Sequence, residues 1–326
     1  MKSLTILVPA GQNNLSSIIG SYKIFTRANE IWNQRGKKGG FDVRLAGLSK
    51  KVIFHDGIFS VKPHLHIDQI KKTDLIIIPA VNKDFETSIK LNKKVIAWLE
   101  FQYGQGAEIA SICTGAFLLA SSGLLQGKTC STHWAAADRF KELFPDVKLA
   151  TDQLITDENR LYTNGGAFSF LNLVLYLVEK YYDRQTAIFC SKVFQIEIDR
   201  HSQSPFAIFQ GQKNHGDELI QKAQDIIEKK LDEKISMEHL SSKLAISRRS
   251  FDRRFIKATG NTPIEYLQRV KIEAAKKFLE TSNRTIGEIM YKVGYSDTKA
   301  FREVFKKVTG MSPLEYRSRY NKEAVR

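Results

Sequence analysis

Apolar residues change their spacing about two-thirds of the way along the chain, and the change divides it in two. Before that point they come in short unbroken runs separated by longer amphipathic stretches. Residues 4–8, 42–46, 75–78 and 108–112 read as strands, while 16–35, 85–102, 114–122, 167–180 and 184–200 read as helices. A run such as Leu75-Ile76-Ile77-Ile78 has no polar alternation, so both faces of that strand are expected to be buried, as in a parallel sheet covered by helices. Strand and helix in alternation predict an α/β sandwich of the flavodoxin-like type.

From Asp217, which is placed to cap a helix beginning at Glu218, the spacing is helical throughout. Thr285 precedes Ile286, Ile289, Met290 and Val293, with Glu288 three residues on to complete a capping box. Gly294-Tyr295-Ser296 then predicts a turn with glycine at positive φ, and Ser296 or Asp297 can cap the helix that carries Phe301 and Phe305 on its buried side. A short helix, a glycine turn and a second helix with a cationic outer face make a helix-turn-helix.

The unit occurs twice. Phe251, Phe255, Thr259, Gly260, Pro263, Glu265 and Tyr266 recur fifty positions later as Phe301, Phe305, Thr309, Gly310, Pro313, Glu315 and Tyr316. Upstream of the turn the offset is forty-nine, pairing Leu240, Leu244, Ala245 and Ser247 with Ile289, Val293, Gly294 and Ser296. The extra residue falls in a turn, where it is cheap; in a helix it would rotate the buried face away. Each unit ends by starting another helix, at Thr262-Pro263 and Ser312-Pro313, with glutamate three residues after the cap.

With Phe251 and Phe255 inward, Arg249, Arg253 and Lys257 point outward on the first of these helices, and Arg248 and Asp252 lie on the flank. On the second, Thr298, Lys299, Arg302, Glu303 and Lys306 hold similar outward positions. Arginine presents two parallel donors that match guanine O6 and N7, which makes Arg249 and Arg253 the first candidates for reading bases, and a glutamate such as Glu303 can accept from cytosine N4. These ten side chains are the expected DNA-binding set.

Residues 218–320 resemble the DNA-binding domain of the AraC/XylS family of bacterial transcription regulators, on both helix-turn-helix units, the helix between them and the closing pattern Phe301, Phe305, Gly310, Pro313, Tyr316. The resemblance implies two recognition helices entering successive major grooves of promoter DNA. It also implies a homodimer, and RNA polymerase as a contact open to such a regulator. The connecting helix, at about 1.5 Å per residue, would span roughly 27 Å, less than the ~34 Å between successive major grooves, so some bending of the DNA is expected.

Charge supports this division. Of the net charge of +15, residues 218–326 carry +9, so the shorter segment is the more basic. The start of the chain lacks the long apolar core and small-residue cleavage site of a signal peptide, and the longest apolar run, 170–178, is far short of the ~20 residues of a membrane span. Cys113, Cys130 and Cys190 show no metal-binding spacing, and a reducing bacterial cytoplasm with no membrane association is the expected setting. His55, His64 and His66 fall in one loop-rich stretch without acid or cysteine partners at ligand spacing and read as solvated loop residues. No cofactor or metal is expected.

Ser111-Ile112-Cys113-Thr114-Gly115-Ala116 places a cysteine where a strand turns at once into a helix, and a helix N-terminus favours thiolate. This resembles the nucleophile elbow of the class I glutamine amidotransferase and PfpI superfamily, and the likeness extends to 124–127, Thr132-His133-Trp134 and 162–166. In the PfpI-like hydrolases a histidine follows the cysteine and a glutamate comes from the loop after the first strand; here Thr114 stands in the first place and residues 10–17 contain no acid. Cys113 therefore reads as a vestigial nucleophile, and the chain as no enzyme. Cys113, Thr114, His133, Asn164, Gly165 and Pro79 are instead expected to line a pocket for an unknown small-molecule effector at the carboxyl edge of the sheet.

The expected organisation is a class I glutamine amidotransferase-like sensor and dimerisation domain over 1–198, a linker over 199–216, and an all-α DNA-binding domain over 217–320. Its helix-turn-helix units occupy 236–258 and 285–308, and a tail covers 321–326. The function expected is that of a sequence-specific transcription regulator controlled by a small molecule. The alternative is a cysteine-dependent hydrolase or hydratase with an accessory DNA-binding domain.

Overall fold

The computed structural model describes residues 1–321 except Lys83, Asp199, His201, Asn214 and Lys234. They form two units that meet in sequence between Gln203 and Ser204. The first unit begins with β1 (Lys2–Val8), α1 (Leu15–Gln34), β2 (Phe41–Gly47), the hairpin β3 (Val52–Phe54) and β4 (Phe59–Val61), and β5 (Leu65–His66). It continues through β6 (Leu75–Ile78), α2 (Phe85–Leu91), α3 (Lys93–Gly104), β7 (Glu108–Ile112) and α4 (Ala116–Ser121). The short strands β8 (Thr129–Cys130) and β9 (Lys148–Leu149) flank α5 (Ala137–Leu143), and β10 (Ile155–Glu158), β11 (Leu161–Asn164), α6 (Phe170–Tyr181) and α7 (Arg184–Phe194) follow.

The main sheet has the order β10-β11-β7-β6-β1-β2-β5, parallel except for the edge strand β10. Its central strands β1, β6, β7 and β11 are buried on both faces, as the unbroken apolar runs require. Leu4, Ile6, Leu75 and Ile77 face a core with Phe25, Phe170 and Val174, while Leu7, Ile76 and Ile78 face one with Leu99, Phe117 and Phe140. Each fully buried aliphatic or aromatic side chain contributes about 1.5–3 kcal/mol of apolar transfer, so the two cores together outweigh any single polar contact in the unit.

Two expected helices end differently. The stretch 85–102 breaks at Asn92, whose side chain reaches back to the loop after β1: Oδ1 accepts from the Ala10 N–H at 2.8 Å and Nδ2 donates to the Ala10 carbonyl at 2.9 Å. The helix expected over 184–200 stops at Phe194, where Gln195 turns left-handed (φ +54°). His64 and His66 are not free loop residues: His64 Nδ1 accepts from the Leu45 N–H at 2.8 Å, and His66 Nε2 lies 3.1 Å from the Leu48 carbonyl, pinning the loop to the end of β2.

The second unit contains α8 (Glu218–Lys229), α9 (Met237–Lys243), α10 (Arg248–Thr259), α11 (Pro263–Thr281), α12 (Ile286–Lys292), α13 (Thr298–Thr309) and α14 (Pro313–Tyr320). Capping boxes open α11, α12 and α14 at Thr262, Thr285 and Ser312, and Asp297, rather than Ser296, caps α13. The sequence repeat is a structural repeat. Phe251, Phe255 and Tyr266 centre one core, and Phe301, Phe305 and Tyr316 the other. The Tyr266 hydroxyl donates to Glu228 Oε1 at 2.7 Å and its counterpart Tyr316 donates to Glu280 Oε1 at 2.6 Å.

The stretch 199–216, expected as a linker, is divided. Ser202 and Gln203 bond to the first unit, whereas 204 onward packs on the second: Phe209 meets the Tyr266 ring edge-on at 5.3 Å, and the buried Lys276 Nζ donates to the Ala207 carbonyl at 2.6 Å. Aromatic burial and satisfaction of a buried ammonium hold what composition alone suggested would be loose. Of the expected tail 321–326, only Asn321 lies within the described residues.

The two turns differ in one informative way. Gly294 has φ +70°, and a Cβ there would lie 2.5 Å from both the Leu231 carbonyl oxygen and Lys271 Nζ, so nothing larger fits. The equivalent residue is Ala245, held at φ +56°. A left-handed non-glycine residue costs of order 1 kcal/mol, so Ala245→Gly is expected to stabilise the first helix-turn-helix by up to about that amount, less the added flexibility of the unfolded chain. Slower amide exchange across α9 and α10 would be the sign of it; faster exchange would show that the alanine is not strained.

Candidate functional site

Two surfaces carry candidate chemistry, one on each unit. On the second, Ser247 caps α10 and Asp297 caps α13, and each helix buries two phenylalanines one turn apart, which fixes what points outward. Arg249, Arg253 and Lys257 are exposed on α10, and Thr298, Lys299, Arg302, Glu303 and Lys306 on α13. Among the described residues Arg249, Arg253, Lys299, Arg302 and Glu303 have no ion pair, so their charges are unspent.

Arg248 and Asp252 depart from the expected DNA-binding set. Arg248 Nε bonds to Asp252 Oδ1 at 2.9 Å and its Nη1 to Glu238 Oε1 at 2.5 Å. The trio ties α9 to α10 and leaves the Arg248 charge more than offset by two carboxylates, so these two half-exposed residues brace the helix. Arg254 likewise braces α10 against α8 through Asp217, at 2.7 Å and 2.9 Å, and this bond is the main reason the carboxyl pKa of Asp217 is lowered. Beside this bridge, a cleft of about 880 Å³ is lined by Lys222, Lys243, Arg254 and Lys257, among others. It extends the cationic surface, and of its basic residues only Lys257 stood out from the sequence.

On the first unit the elbow is present. Cys113 follows β7 at φ +54°, the strained turn such a motif requires. Gly115 is needed behind it, because a Cβ there would lie 2.6 Å from the Pro79 carbonyl oxygen and 2.9 Å from that of Ile78. The thiolate expectation, however, is reversed. Cys113 is 4% exposed, and burial pushes its thiol up to about 11 against the smaller opposing effect of hydrogen bonds from Thr114. The helix behind it, α4, is only six residues long, so its dipole is weak.

His133 is not assigned to the thiol by its contacts. Its Nδ1 accepts from the Ala135 N–H at 3.1 Å, and partial burial lowers its pKa, favouring the neutral ring. With the thiol pKa raised from 9.0 to about 11, the thiolate fraction at neutral pH falls about a hundredfold. Alkylation of Cys113 by iodoacetamide at pH 7.5 is therefore expected to be about a hundredfold or more slower than that of a free cysteine. Mass spectrometry reads this directly, and a rate equal to or above that of the free thiol would restore Cys113 as a nucleophile.

The expected effector residues divide as well. Thr114 lines an open crevice of about 470 Å³ with Val81, Asn82 and Phe85. Cys113, Pro79 and Asn164 are buried beneath the surface, and the space over Gly165 is filled by the side chain of Gln203. Asn82 and Gln203 were missed. Asn82 could have been found, since it follows Pro79-Ala80 off the carboxyl end of β6; Gln203 carried no local signal. Asn13 in the loop after β1 pairs with Val81 across the gap between β1 and β6, where strand order reverses, so the crevice lies at the topological switch point.

An α/β unit with a cysteine elbow, followed by paired helix-turn-helix units with cationic outer faces, defines a two-part DNA-binding regulator. The family models agree with both parts: the DJ-1/PfpI family matches residues 18–180, and a helix-turn-helix domain matches 240–319. The chain belongs to the DJ-1/PfpI family and, with its AraC-type helix-turn-helix domain, is a transcription regulator of the AraC type. It is similar to the HTH-type transcriptional regulator GbdR of Pseudomonas aeruginosa, 26% identical over 261 residues, which span 78% of this chain and 70% of that protein. Among solved structures it is similar to a candidate transcriptional regulator from Vibrio parahaemolyticus, 27% identical with a TM-score of 0.53, covering 59% of this chain and 98% of that one. An isonitrile hydratase of Pseudomonas putida is 28% identical over 117 residues, 35% of this chain and 47% of the enzyme. Among the described residues no helix is long and apolar enough to cross a membrane.

Proposed function

We propose that the chain works as a cytoplasmic homodimer that reads promoter DNA with α10 and α13 and takes its instruction from a small molecule bound at the carboxyl edge of the sheet. RNA polymerase is a further contact in this reading. The observation that carries it is the recurrence, on equivalent helices of two repeats, of exposed cationic side chains with no ion pair among the described residues: Arg249 and Arg253 on α10, Lys299 and Arg302 on α13. A merely solvated face has no reason to be built twice around the same phenylalanine pairs. Arg249 and Arg253 are the base readers of the first half-site, with Lys257 and Lys306 at the phosphates. Glu303 accepts from cytosine N4 in the second.

The effector in this reading enters the crevice at Asn82 and Thr114. The hydratase alternative gains support from the partial likeness to the isonitrile hydratase, but the buried, protonated thiol and the acid-free loop after β1 weigh against it. Catalysis is therefore not part of the proposal. Genome-wide mapping of occupied sites followed by footprinting tests the reading. Protection is expected over two major-groove segments about one helical turn, ~10 base pairs, apart at a defined operator. Uniform occupancy without such sites would make the protein a non-specific binder.

A further inference from the structure

At the Gly165 end of the sheet edge the space is filled by the chain itself. Gln203 is the last residue of the first unit, yet it is only 2% exposed. Its amide is read from several directions. Nε2 donates to the Thr132 carbonyl at 2.9 Å and lies 3.4 Å from Ser131 Oγ, and Oε1 accepts from the Trp134 N–H at 3.2 Å. Gly165 forms the floor: a Cβ there would fall on the Gln203 amide, so only glycine leaves room for it. The notch is joined to the elbow, because Thr132 Oγ1 donates to the Cys113 carbonyl at 2.9 Å. Beside Gly165, Asn164 Oδ1 is buried without a hydrogen-bond partner among the described residues.

We propose that this notch is the amide-reading part of the effector site, that Gln203 occupies it as a built-in competitor, and that a small molecule bearing a primary carboxamide displaces it and frees the connector to the DNA-binding unit. The proposal rests on the reading of the sheet edge as an effector site and adds the ligand chemistry and the switch. A primary carboxamide is the group that fits, since it supplies two N–H donors for the Thr132 carbonyl and Ser131 hydroxyl and one acceptor for the Trp134 N–H. A carboxylate would set an anionic oxygen against the Thr132 carbonyl, and an ammonium has no acceptor for Trp134.

The chain holds Gln203 at a high effective concentration, so an external amide prevails only with further contacts, for which the crevice at Asn82 and Thr114 is the candidate, Thr114 following the Cys113 whose carbonyl Thr132 bonds. Displacement acts on the connector because the Gln203 N–H donates to the Asp152 carbonyl at 3.1 Å, Ser202 pairs with Gln153, and the next residue, Ser204, already belongs to the second unit. A ligand that binds only when Gln203 is out shifts that balance by its differential affinity.

Full-length Gln203→Ala keeps Cβ and removes a fragment equivalent to acetamide, so it can be rescued chemically. Acetamide at roughly 0.1 M is expected to raise the melting temperature of the variant but not of the wild type, whose tethered amide already fills the notch, and acetate to raise neither. Backbone exchange over 202–207 is expected to rise at least tenfold in Gln203→Ala and in the equal-sized Gln203→Glu, and to stay raised in the first when acetamide fills the notch, because an untethered amide cannot hold the connector. Operator affinity should shift at least threefold in both variants. Unchanged exchange over 202–207, no rescue of a folded Gln203→Ala protein, or released exchange with unaltered operator affinity would each overturn the proposal. The underlying effector reading fails separately, if Asn82→Trp, which fills the open crevice, leaves the protein's response to an amide library as it was.

Discussion

Arg253→Glu is expected to weaken binding to the mapped operator by at least about a hundredfold, and binding to random duplex of equal length by about tenfold. Arg253 is exposed in the middle of α10, one turn from Arg249, with no ion pair among the described residues. A bidentate arginine–guanine contact is worth about 1–3 kcal/mol of discrimination, and the reversed charge adds a repulsion from phosphate that acts on any sequence. The difference between the two losses is therefore the measure of base reading. Titrations at one fixed salt concentration give it, and equal losses on both duplexes would reduce Arg253 to a phosphate contact. On α13 the repeat places Glu303, not a cation, at the position of Arg253, so the charge-reversal test there falls on its neighbour Arg302, and Arg248→Glu differs in kind. It would break the bridge to Asp252 and Glu238 and loosen α10 before it touched DNA.

Phe305→Ala is expected to cost about 3–5 kcal/mol, because the ring is fully buried and leaves a cavity that its neighbours cannot fill. It packs edge-on against Tyr316 at 5.5 Å and tilted against Phe301 at 5.8 Å, and Thr309 Oγ1 donates to its carbonyl at 2.8 Å. The loss should fall on α12, α13 and α14, read as faster amide exchange there, with the core around Phe255 and Tyr266 less affected. Trp32, Trp98 and Trp134 all lie in the first unit, so their emission during urea unfolding serves as an internal control. A shift of that transition as large as the change in α13 would show that the two units do not unfold independently.

What was legible in the sequence was what short-range rules determine. Capping boxes at Thr262, Thr285 and Ser312 involve residues three apart, and the buried pairs Phe251–Phe255 and Phe301–Phe305 involve residues four apart, so a local reading recovers them. The same is true of the doubly buried strand at 75–78 and of the elbow at Cys113. The departures each involve a partner far along the chain. Asn92 ends a helix because its amide finds Ala10, 82 residues earlier; Arg248 is engaged at the surface because α9 brings Glu238 within reach of it; Gln203 is buried because Ser131, Thr132 and Gly165 converge on it. The state of Cys113 was misjudged for a related reason. A helix end is visible in sequence, whereas the depth of burial that outweighs it is a property of the whole sheet.

The rod α11 belongs to both repeats at once. Its first turns give Tyr266 to one core and its later turns give Ile272, Ala275 and Leu279 to the other, with Lys271 between them bonded to the Glu233 and Gly294 carbonyls. One residue added to it would turn the second core by about 100° against the first and push it about 1.5 Å further off. If α10 and α13 read paired half-sites as proposed, drift in the number of base pairs between them has no small structural answer in this protein: the gauge is cut into α11, and a promoter that changes its spacing is expected to lose the reader instead of retuning it.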